Sequence, residues 1–429
     1  MLRSNSETPL SATVSGGVDY AVESFFRGSG GRIVRRVRRR DGTTTLSAVQ
    51  DPGGMDDAGL AAAFDSAWLR STARPDHAGA PSGTVRVVDL FAGCGGLSVG
   101  LEEAGRALGV TVDHVLANDF DPDVLRIYAQ NFPHAECVLG PVEDLLDGEV
   151  GSPLTPNEKG LRDRLGEIDV VIGGPPCQGH SDFNNRTRNN DPKNELYLKM
   201  ARFCEVIRPK HVVIENVPGV ERDRGRVAHR TWDQLRSIGY SVDSGVIDFS
   251  RLGVAQTRRR SITLGSLQVE PRIAFVVEDV QTDVRGLDWA IGDLEGIKPL
   301  QDPFDTAPSP SDVSRARMDY LFDNDLFELP NDQRPDCHRT KSHSYVSVYG
   351  RLRWGLPAPT ITTGFGVMGR GRFVHPSRRR TITPHEAARI QFFPDFFSFA
   401  GANRTSLHRM IGNAVPPKAG YAIGLHLLR

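Results

Sequence analysis

Paired cysteines are missing from this chain. Five cysteines, at 94, 137, 177, 204 and 337, show no paired spacing, which argues against a disulfide framework and a zinc site and points to a reducing cytoplasm. No apolar run approaches the length of a membrane span, and Met1-Leu2-Arg3-Ser4-Asn5 lacks the apolar stretch of a secretory signal. There is no internal repeat. The most local absence is of acid: residues 337 to 380 contain none, in a chain with 53 Asp and Glu, yet hold nine basic residues. Residues 301 to 336 are the reverse, with nine acids and three arginines. The net charge of −1 therefore conceals a segregation. We read the acid-free stretch as a face that avoids repelling phosphate, a solvated basic face being the plainer alternative.

What is present bounds the architecture. A length of 429 residues suits two or three domains, and 39% hydrophobic with 24% charged residues describes a globular chain. Residues 1–83 are rich in Gly, Ser, Asp, Thr and Arg and read as a largely disordered extension with one short helix near Leu60 to Leu69. Its block Arg32 to Arg40 reads equally as a non-specific DNA tether or as a solvated basic strand. From Val85 strands and helices alternate, which predicts a Rossmann-like, doubly wound α/β sheet over 84–266. The expected strands are Val85 to Leu90, Val112 to Phe120, Glu136 to Leu139, Ile168 to Ile172, His211 to Glu215, Ser241 to Asp248 and Ser261 to Leu264. Residues 267–378 lose this alternation and predict a smaller irregular domain; 379–429 return helical patterns belonging to the first domain.

Four strand ends and the entry to the last strand carry the chemistry. Asp89-Leu90-Phe91-Ala92-Gly93-Cys94-Gly95-Gly96-Leu97 follows the first strand and precedes a helix, where a glycine-rich turn lets backbone approach a ligand. It is neither G-x-G-x-x-G nor a phosphate loop with lysine, so a cofactor without phosphates is favoured. Asn118-Asp119-Phe120 ends the second strand with a carboxylate suited to ribose hydroxyls and a ring suited to a purine. Together they suggest S-adenosylmethionine; a tight turn and an ordinary cap are the bland reading. After the fourth strand, Gly173-Gly174-Pro175-Pro176-Cys177-Gln178 places a thiol on a stiff loop. Glu215 ends the neighbouring strand, so it faces the same edge. In Gln256-Thr257-Arg258-Arg259-Arg260, period-two alternation sends Arg258 and Arg260 to one side.

In these residues the chain resembles the DNA (cytosine-5)-methyltransferases of the bacterial type. Seven ordered segments carry the resemblance, over about 85–265 and 345–428. They are Asp89 to Gly105, Asn118 to Phe120, Pro175 to Gln178, Glu215-Asn216-Val217, Gln256 to Arg260, Arg380 to Gln391, and Gly412-Asn413-Ala414-Val415-Pro416. The resemblance implies a sheet that binds S-adenosylmethionine and a smaller target-recognition domain. It implies that Cys177 attacks C6 of a flipped-out cytosine, that Glu215 engages N3 and the exocyclic amine, that Arg258 holds the O2 side, and that Arg260 supports the loop. Cofactor contacts would come from Asp89, Phe91, Ala92, Gly93, Gly95, Gly96, Leu97, Asp119, Phe120, Pro175, Asn413 and Val415. DNA contacts would come from Gln178, Ser181, Arg353, Thr362, Thr363, Arg370, Arg372 and Arg380. No metal is expected. The implied partner is double-stranded DNA, with a cognate restriction or phage-defence component alongside, for a cytoplasmic monomer. An RNA cytosine-5 methyltransferase and a catalytically idle DNA-binding module are the rivals. Two departures stand out: Gly140-Pro141-Val142 where the family often has Gly-Asp-Ile at the adenine, with Glu143 or Asp144 as replacements, and His180 after Gly179.

Overall fold

The computed structural model describes residues 22–39, 42–51, 59–176, 192–296, 302–339 and 348–428. Three strands come first: β1 (Val22–Gly28), β2 (Arg32–Arg38) and β3 (Thr44–Gln50), an antiparallel meander in the order β1-β2-β3. The expectation of disorder in 1–83 fails over this span. β2 alternates exposed and buried residues, and Ile33, Arg35 and Val37 face inward. The inward face packs on α1 (Leu60–Leu69), the one helix anticipated there. Arg35 is 2% exposed and ion-paired to Glu103. At least this member of the basic block is therefore part of the core and no tether.

The main sheet is then laid down by β4 (Thr84–Leu90), α2 (Gly96–Leu108), β5 (Thr111–Asp119), α3 (Pro122–Asn131), β6 (Glu136–Leu139), α4 (Pro156–Leu165), β7 (Val170–Gly173), α5 (Leu198–Ile207), β8 (His211–Asn216), α6 (Val227–Ser237), β9 (Ser241–Asp248), the two-residue β10 (Gln256–Thr257) and β11 (Arg259–Ser266). Its seven strands run β6-β5-β4-β7-β8-β11-β9. Pairings among β6, β5, β4, β7 and β8 are parallel, while β11 is antiparallel to both β8 and β9. The reversal has a local cause. Between Asp248 and Arg259 there is only a short turn and β10, too little chain for the crossover a parallel neighbour needs. The chain order changes direction between β4 and β7, so the crevice outside their carboxyl ends is where a ligand site is expected.

The remaining elements are α7 (Ile273–Glu278), α8 (Leu287–Ile291), α9 (Asp312–Asp323), α10 (Asp336–Arg339), β12 (Gly350–Arg351), β13 (Ala358–Pro359), β14 (Arg372–Val374), α11 (Pro384–Ile390), α12 (Arg404–Asn413) and α13 (Pro417–Leu427). A separate small core holds Met318, Leu321, Leu329, Val348, Tyr349, Met368 and Val374. Leu287, Ile291, Leu352, Ile361 and Phe373 instead join the main core. The irregular region between 267 and 378 is therefore anchored on the sheet domain at both of its ends. α13 packs against α2 through Gly100 and Gly420, where a Cβ at Gly100 would come within 2.1 Å of the Pro417 carbonyl oxygen. This close approach fixes the C-terminal helix to the layer that carries the glycine-rich turn.

Candidate active site

The turn after β4 is built for close backbone approach. Phe91 (φ 56°), Gly93 (φ 56°) and Gly95 (φ 94°) all occupy the left-handed region, and at Phe91 this carries strain. Gly96 opens α2, and a Cβ there would meet the Val415 carbonyl oxygen at 2.2 Å. The Asn413-Ala414-Val415 segment is thereby brought onto the turn. At Gly93, by contrast, a Cβ would meet nothing within 4 Å, so the turn leaves open space there. Asp119 closes one side: its Oδ2 accepts from the Gly93 N–H at 2.9 Å and its Oδ1 from the Asp121 N–H at 3.0 Å. Burial raises its pKa, against the lowering effect of those amides. Phe120 follows, 69% exposed, a large aromatic residue left uncovered at the strand end.

These features fit the adenosyl group expected from the sequence. Residues 89–97 carry no cation for phosphate, the carboxylate has lone pairs left for hydroxyls, and the exposed Phe120 suits a purine. Asp89 stands apart from this set. It is 2% exposed, burial raises its pKa well above the carboxylate range, and it accepts a 2.7 Å bond from Ser98 Oγ. It braces the turn against α2 from behind. Ala92 and Leu97 are buried as side chains, so only their backbone faces outward chemistry. At the departure from the family pattern, Glu143 and Asp144 are both exposed, and the Gly140 N–H donates to the Asp119 carbonyl.

Across the crevice, β7 ends at Gly173 and the chain continues through Gly174-Pro175-Pro176. Pro175 is fixed by Asn216, whose Nδ2 donates to its carbonyl oxygen at 3.2 Å. Asn216 is a holding residue the sequence reading did not assign; its place directly after Glu215 was the available signal. Cys177, Gln178, His180 and Ser181 lie outside the described residues. Glu215 is 8% exposed, and a Cβ on Gly174 would sit 3.4 Å from its Oε2, so this carboxylate stands against the stem that leads to Cys177.

The two arginines expected beside it divide differently from the expectation. Arg260 Nε lies 2.8 Å from Glu215 Oε1, and its Nη1 donates to the Arg259 carbonyl. Arg258 is 1% exposed and donates to the carbonyls of Ile361 (2.8 Å), Gly412 (3.2 Å) and Asn413 (3.4 Å). This guanidinium ties the turn before β11 to Ile361 and to the Gly412-Asn413 segment. Strand alternation misplaces it because β11 begins only at Arg259. Arg258 sits in a tight turn whose N–H donates to the Gln256 carbonyl. Gln256 and Gln391, both fully buried, close the same seam with a 2.5 Å bond.

The acid-free stretch meets acids from elsewhere in the chain. Arg372 donates to the carbonyls of Phe327 and Arg351 and pairs with Glu328 at 2.5 Å. Arg380 forks onto Glu386 at 2.7 and 2.8 Å, Arg379 pairs with Asp319 and Asp323, and Arg351 with Asp325. The acidic segment before the basic one folds back on it and takes up much of its charge. Of the expected DNA contacts, Arg353, Thr363 and Arg370 remain exposed, Arg353 lying over Phe327 at 4.5 Å, while Thr362 is half-buried. Among the described residues no cluster of His, Cys, Asp and Glu is arranged to hold a metal. Burial pushes the Cys94 thiol up to about 12 and raises Cys204 as well, which disfavours the thiolate at both.

Comparison with known proteins agrees with this geometry. The family model for C-5 cytosine-specific DNA methylases matches residues 85–429. The type II methyltransferase M1.BsuMI of Bacillus subtilis is 43% identical over 414 residues, spanning 96% of each chain. The type II methylase M.HgiDII of Herpetosiphon aurantiacus is 30% identical over 357 residues, spanning 80% of this chain and 95% of its own. Among solved structures, a prophage-encoded E. coli protein aligns with a TM-score of 0.54 at 25% identity, over 80% of this chain and 98% of that one. The S. pombe Dnmt2 methyltransferase aligns at 0.56 with 19% identity and the same coverage, a likeness of fold.

Proposed function

The chain belongs to the C-5 cytosine-specific DNA methylases, and from that premise we propose that it methylates C5 of a cytosine flipped out of duplex DNA, with S-adenosylmethionine as donor and Cys177 as nucleophile. The single observation that carries this reading is the Glu215–Arg260 pair set beside the Gly174-Pro175 stem of the cysteine loop. A cytosine ring carbon is a poor electrophile, so attack by a thiolate at C6 needs the ring polarised as the S–C6 bond forms. Glu215 is placed to hold a proton at N3, and Arg260 keeps its carboxylate oriented while offering its other N–H groups towards O2. Electron density then moves to C5. The turn of Gly93 to Gly96, Asp119 and Phe120 would hold the donor, with Pro175, Asn413 and Val415 at its borders. When bound, it supplies an electrophilic methyl group at C5. Loss of the C5 proton and expulsion of the Cys177 thiolate restore the ring. Asn216, by anchoring Pro175, keeps the thiol loop in register with Glu215.

Extraction of the base from the stack is required, since C6 and C5 must meet the thiol and the methyl group on the ring's faces. Arg353, Thr363 and Arg370 are the exposed groups of the recognition region that suit the duplex. The type II names of the relatives support a place beside a restriction nuclease whose sites the methyl group masks. We take the protein to be a cytoplasmic monomer; among the described residues no helix is long and apolar enough to cross a membrane.

The test is covalent trapping. Duplex DNA carrying 5-fluorocytosine in its target site blocks loss of the C5 substituent, so the protein should remain bonded to the DNA through denaturing electrophoresis in the presence of S-adenosylmethionine. Cys177→Ser should abolish the adduct. An adduct that survives in Cys177→Ser would refute the assigned nucleophile. Bisulfite sequencing of DNA from cells expressing the chain should show the methylated base and its sequence context.

A further inference from the structure

The loop that follows β8 carries Arg222, Arg224 and Arg226 on alternate positions, directly beyond Glu215 and Asn216. All three are exposed. Among the described residues none of them makes a side-chain hydrogen bond or an ion pair, whereas the next arginines, Arg230 and Arg236, pair with Glu195 and Asp233. The acids of the loop are occupied elsewhere: Glu221 Oε1 accepts from Ser261 Oγ at 3.1 Å, and Asp223 Oδ2 accepts from the Val227 N–H at 3.2 Å, at the start of α6. The first of these bonds has a spatial consequence. Ser261 faces Asn216 across the β8–β11 pairing and follows Arg259 and Arg260, so the loop is drawn alongside the start of β11, where Arg259 is also exposed. Arg259 alternates to the face opposite Arg260, the face on which Ser261 meets Glu221, so the four arginines lie beside the ends of β8 and β11 that carry Glu215 and Arg260.

We propose that Arg222, Arg224, Arg226 and Arg259 form a phosphate-gripping rim that seats the DNA strand carrying the target cytosine. The proposal rests on the DNA reading given above and adds the surface that positions the polymer. Exposed guanidinium groups without partners are a ready match for backbone phosphate, which binds by charge and carries no sequence information. The acid-free stretch makes the contrast: there Arg351, Arg372, Arg379 and Arg380 are taken up by acids of the same chain. Charge available to a polyanion therefore lies on this rim as well as at Arg353 and Arg370. Arg226 holds its turn at φ 52°, a left-handed conformation with a cost to a non-glycine residue, so the alanine test is best made at the two unstrained positions.

The experiment compares wild type, Arg222→Ala/Arg224→Ala and Arg222→Lys/Arg224→Lys by titration with a duplex at several salt concentrations. Each phosphate contact contributes about 0.9 to the slope of log affinity against log salt. The alanine variant should lose roughly 2 from that slope, with KM for DNA raised and S-adenosylmethionine affinity kept. The lysine variant should retain the slope, because phosphate reads the charge. An unchanged slope in the alanine variant, or an equal loss in the lysine variant, overturns the rim. The outcomes separate from those of the enzymatic reading: a slope change in a protein that traps no 5-fluorocytosine duplex keeps the rim and removes the proposed chemistry, and the converse keeps the chemistry and removes the rim.

Discussion

Arg260 Nε stands 2.8 Å from Glu215 Oε1, bridging the antiparallel pair β8 and β11 at the edge where the cysteine loop begins. Arg258, two residues earlier, points the other way into a fully buried seam. Two arginines of one motif therefore do different work.

The consequence is a split between activity and stability. Arg260→Gln, which keeps a hydrogen-bond donor beside Glu215, should lower kcat by roughly 10²-fold or more, the range for losing a group that stabilises charge in the transition state, with a smaller change in melting temperature than Arg258→Ala. Arg258→Ala should lower stability by about 1–3 kcal/mol, because it leaves buried carbonyls of Ile361 and Gly412 without their donor. Steady-state kinetics beside urea denaturation measures both. Equal kinetic loss with equal stability in the two variants would contradict the division.

Asp119→Ala removes the carboxylate that accepts from Gly93 and Asp121. If its remaining lone pairs hold ribose hydroxyls, the loss of charge-assisted bonds at about 1.5–3 kcal/mol predicts a 10- to 100-fold weaker S-adenosylmethionine affinity. Duplex affinity should stay at the wild-type level. Calorimetric titration with the cofactor and with DNA separately reads the two values.

His385 gives the fold a pH dependence. Its Nδ1 is 2.8 Å from Asp305 Oδ1 and its Nε2 3.1 Å from Asp395 Oδ1. Burial by itself would lower its pKa, but the two carboxylates outweigh burial and raise it, even with Arg389 close to Asp395. The imidazolium's contribution to stability is therefore fully present below the unfolded pKa of about 6.5 and disappears as pH rises through the higher folded value. His385→Gln should cost more melting temperature at pH 6 than at pH 9. Calorimetric scans at both pH values check the sign.

The N-terminal sheet should behave as part of the domain. Arg35 Nη2 lies 2.8 Å from Glu103 Oε1, and Glu103 also accepts from Trp68 Nε1 at 3.0 Å and from Arg106 Nε at 2.8 Å, all in a buried setting. Arg35→Met leaves Glu103 short of a cation and should cost about 3–5 kcal/mol. Chemical denaturation with an unchanged m-value would report it, whereas a neutral result would make the sheet a dispensable appendage.

Local patterns made much of the site legible. The turn Gly93-Cys94-Gly95-Gly96 had to follow a strand and open a helix, since glycine takes left-handed φ values without strain at Gly93 and Gly95 and leaves room for the Val415 carbonyl at Gly96. Asp119 and Phe120 had to end the next strand, and Glu215 the one beside the cysteine loop. Those inferences need only periodicity and turn chemistry, which neighbouring residues set. The arginines were harder. Period two fails across the break between β10 and β11, so nothing in Gln256 to Arg260 separated Arg258 from Arg260. The Arg-rich N-terminal block read equally as a tether or a solvated basic strand, and it is a strand whose Arg35 turns inward because Glu103 sits opposite.

The sequence by itself determined the alternating α/β order, the glycine turn and the carboxylates at the strand ends, because each depends on backbone preferences within a few residues. Tertiary structure decided how the charges are shared out. Asp319, Asp323, Asp325 and Glu328 take up arginines of the acid-free stretch, Arg260 rather than Arg258 meets Glu215, and Arg222, Arg224 and Arg226 are left to face outward. Ion pairing depends on distances between segments far apart in the chain, and those distances exist only once β11 has inserted antiparallel between β8 and β9 and the acidic segment has folded back over the basic one.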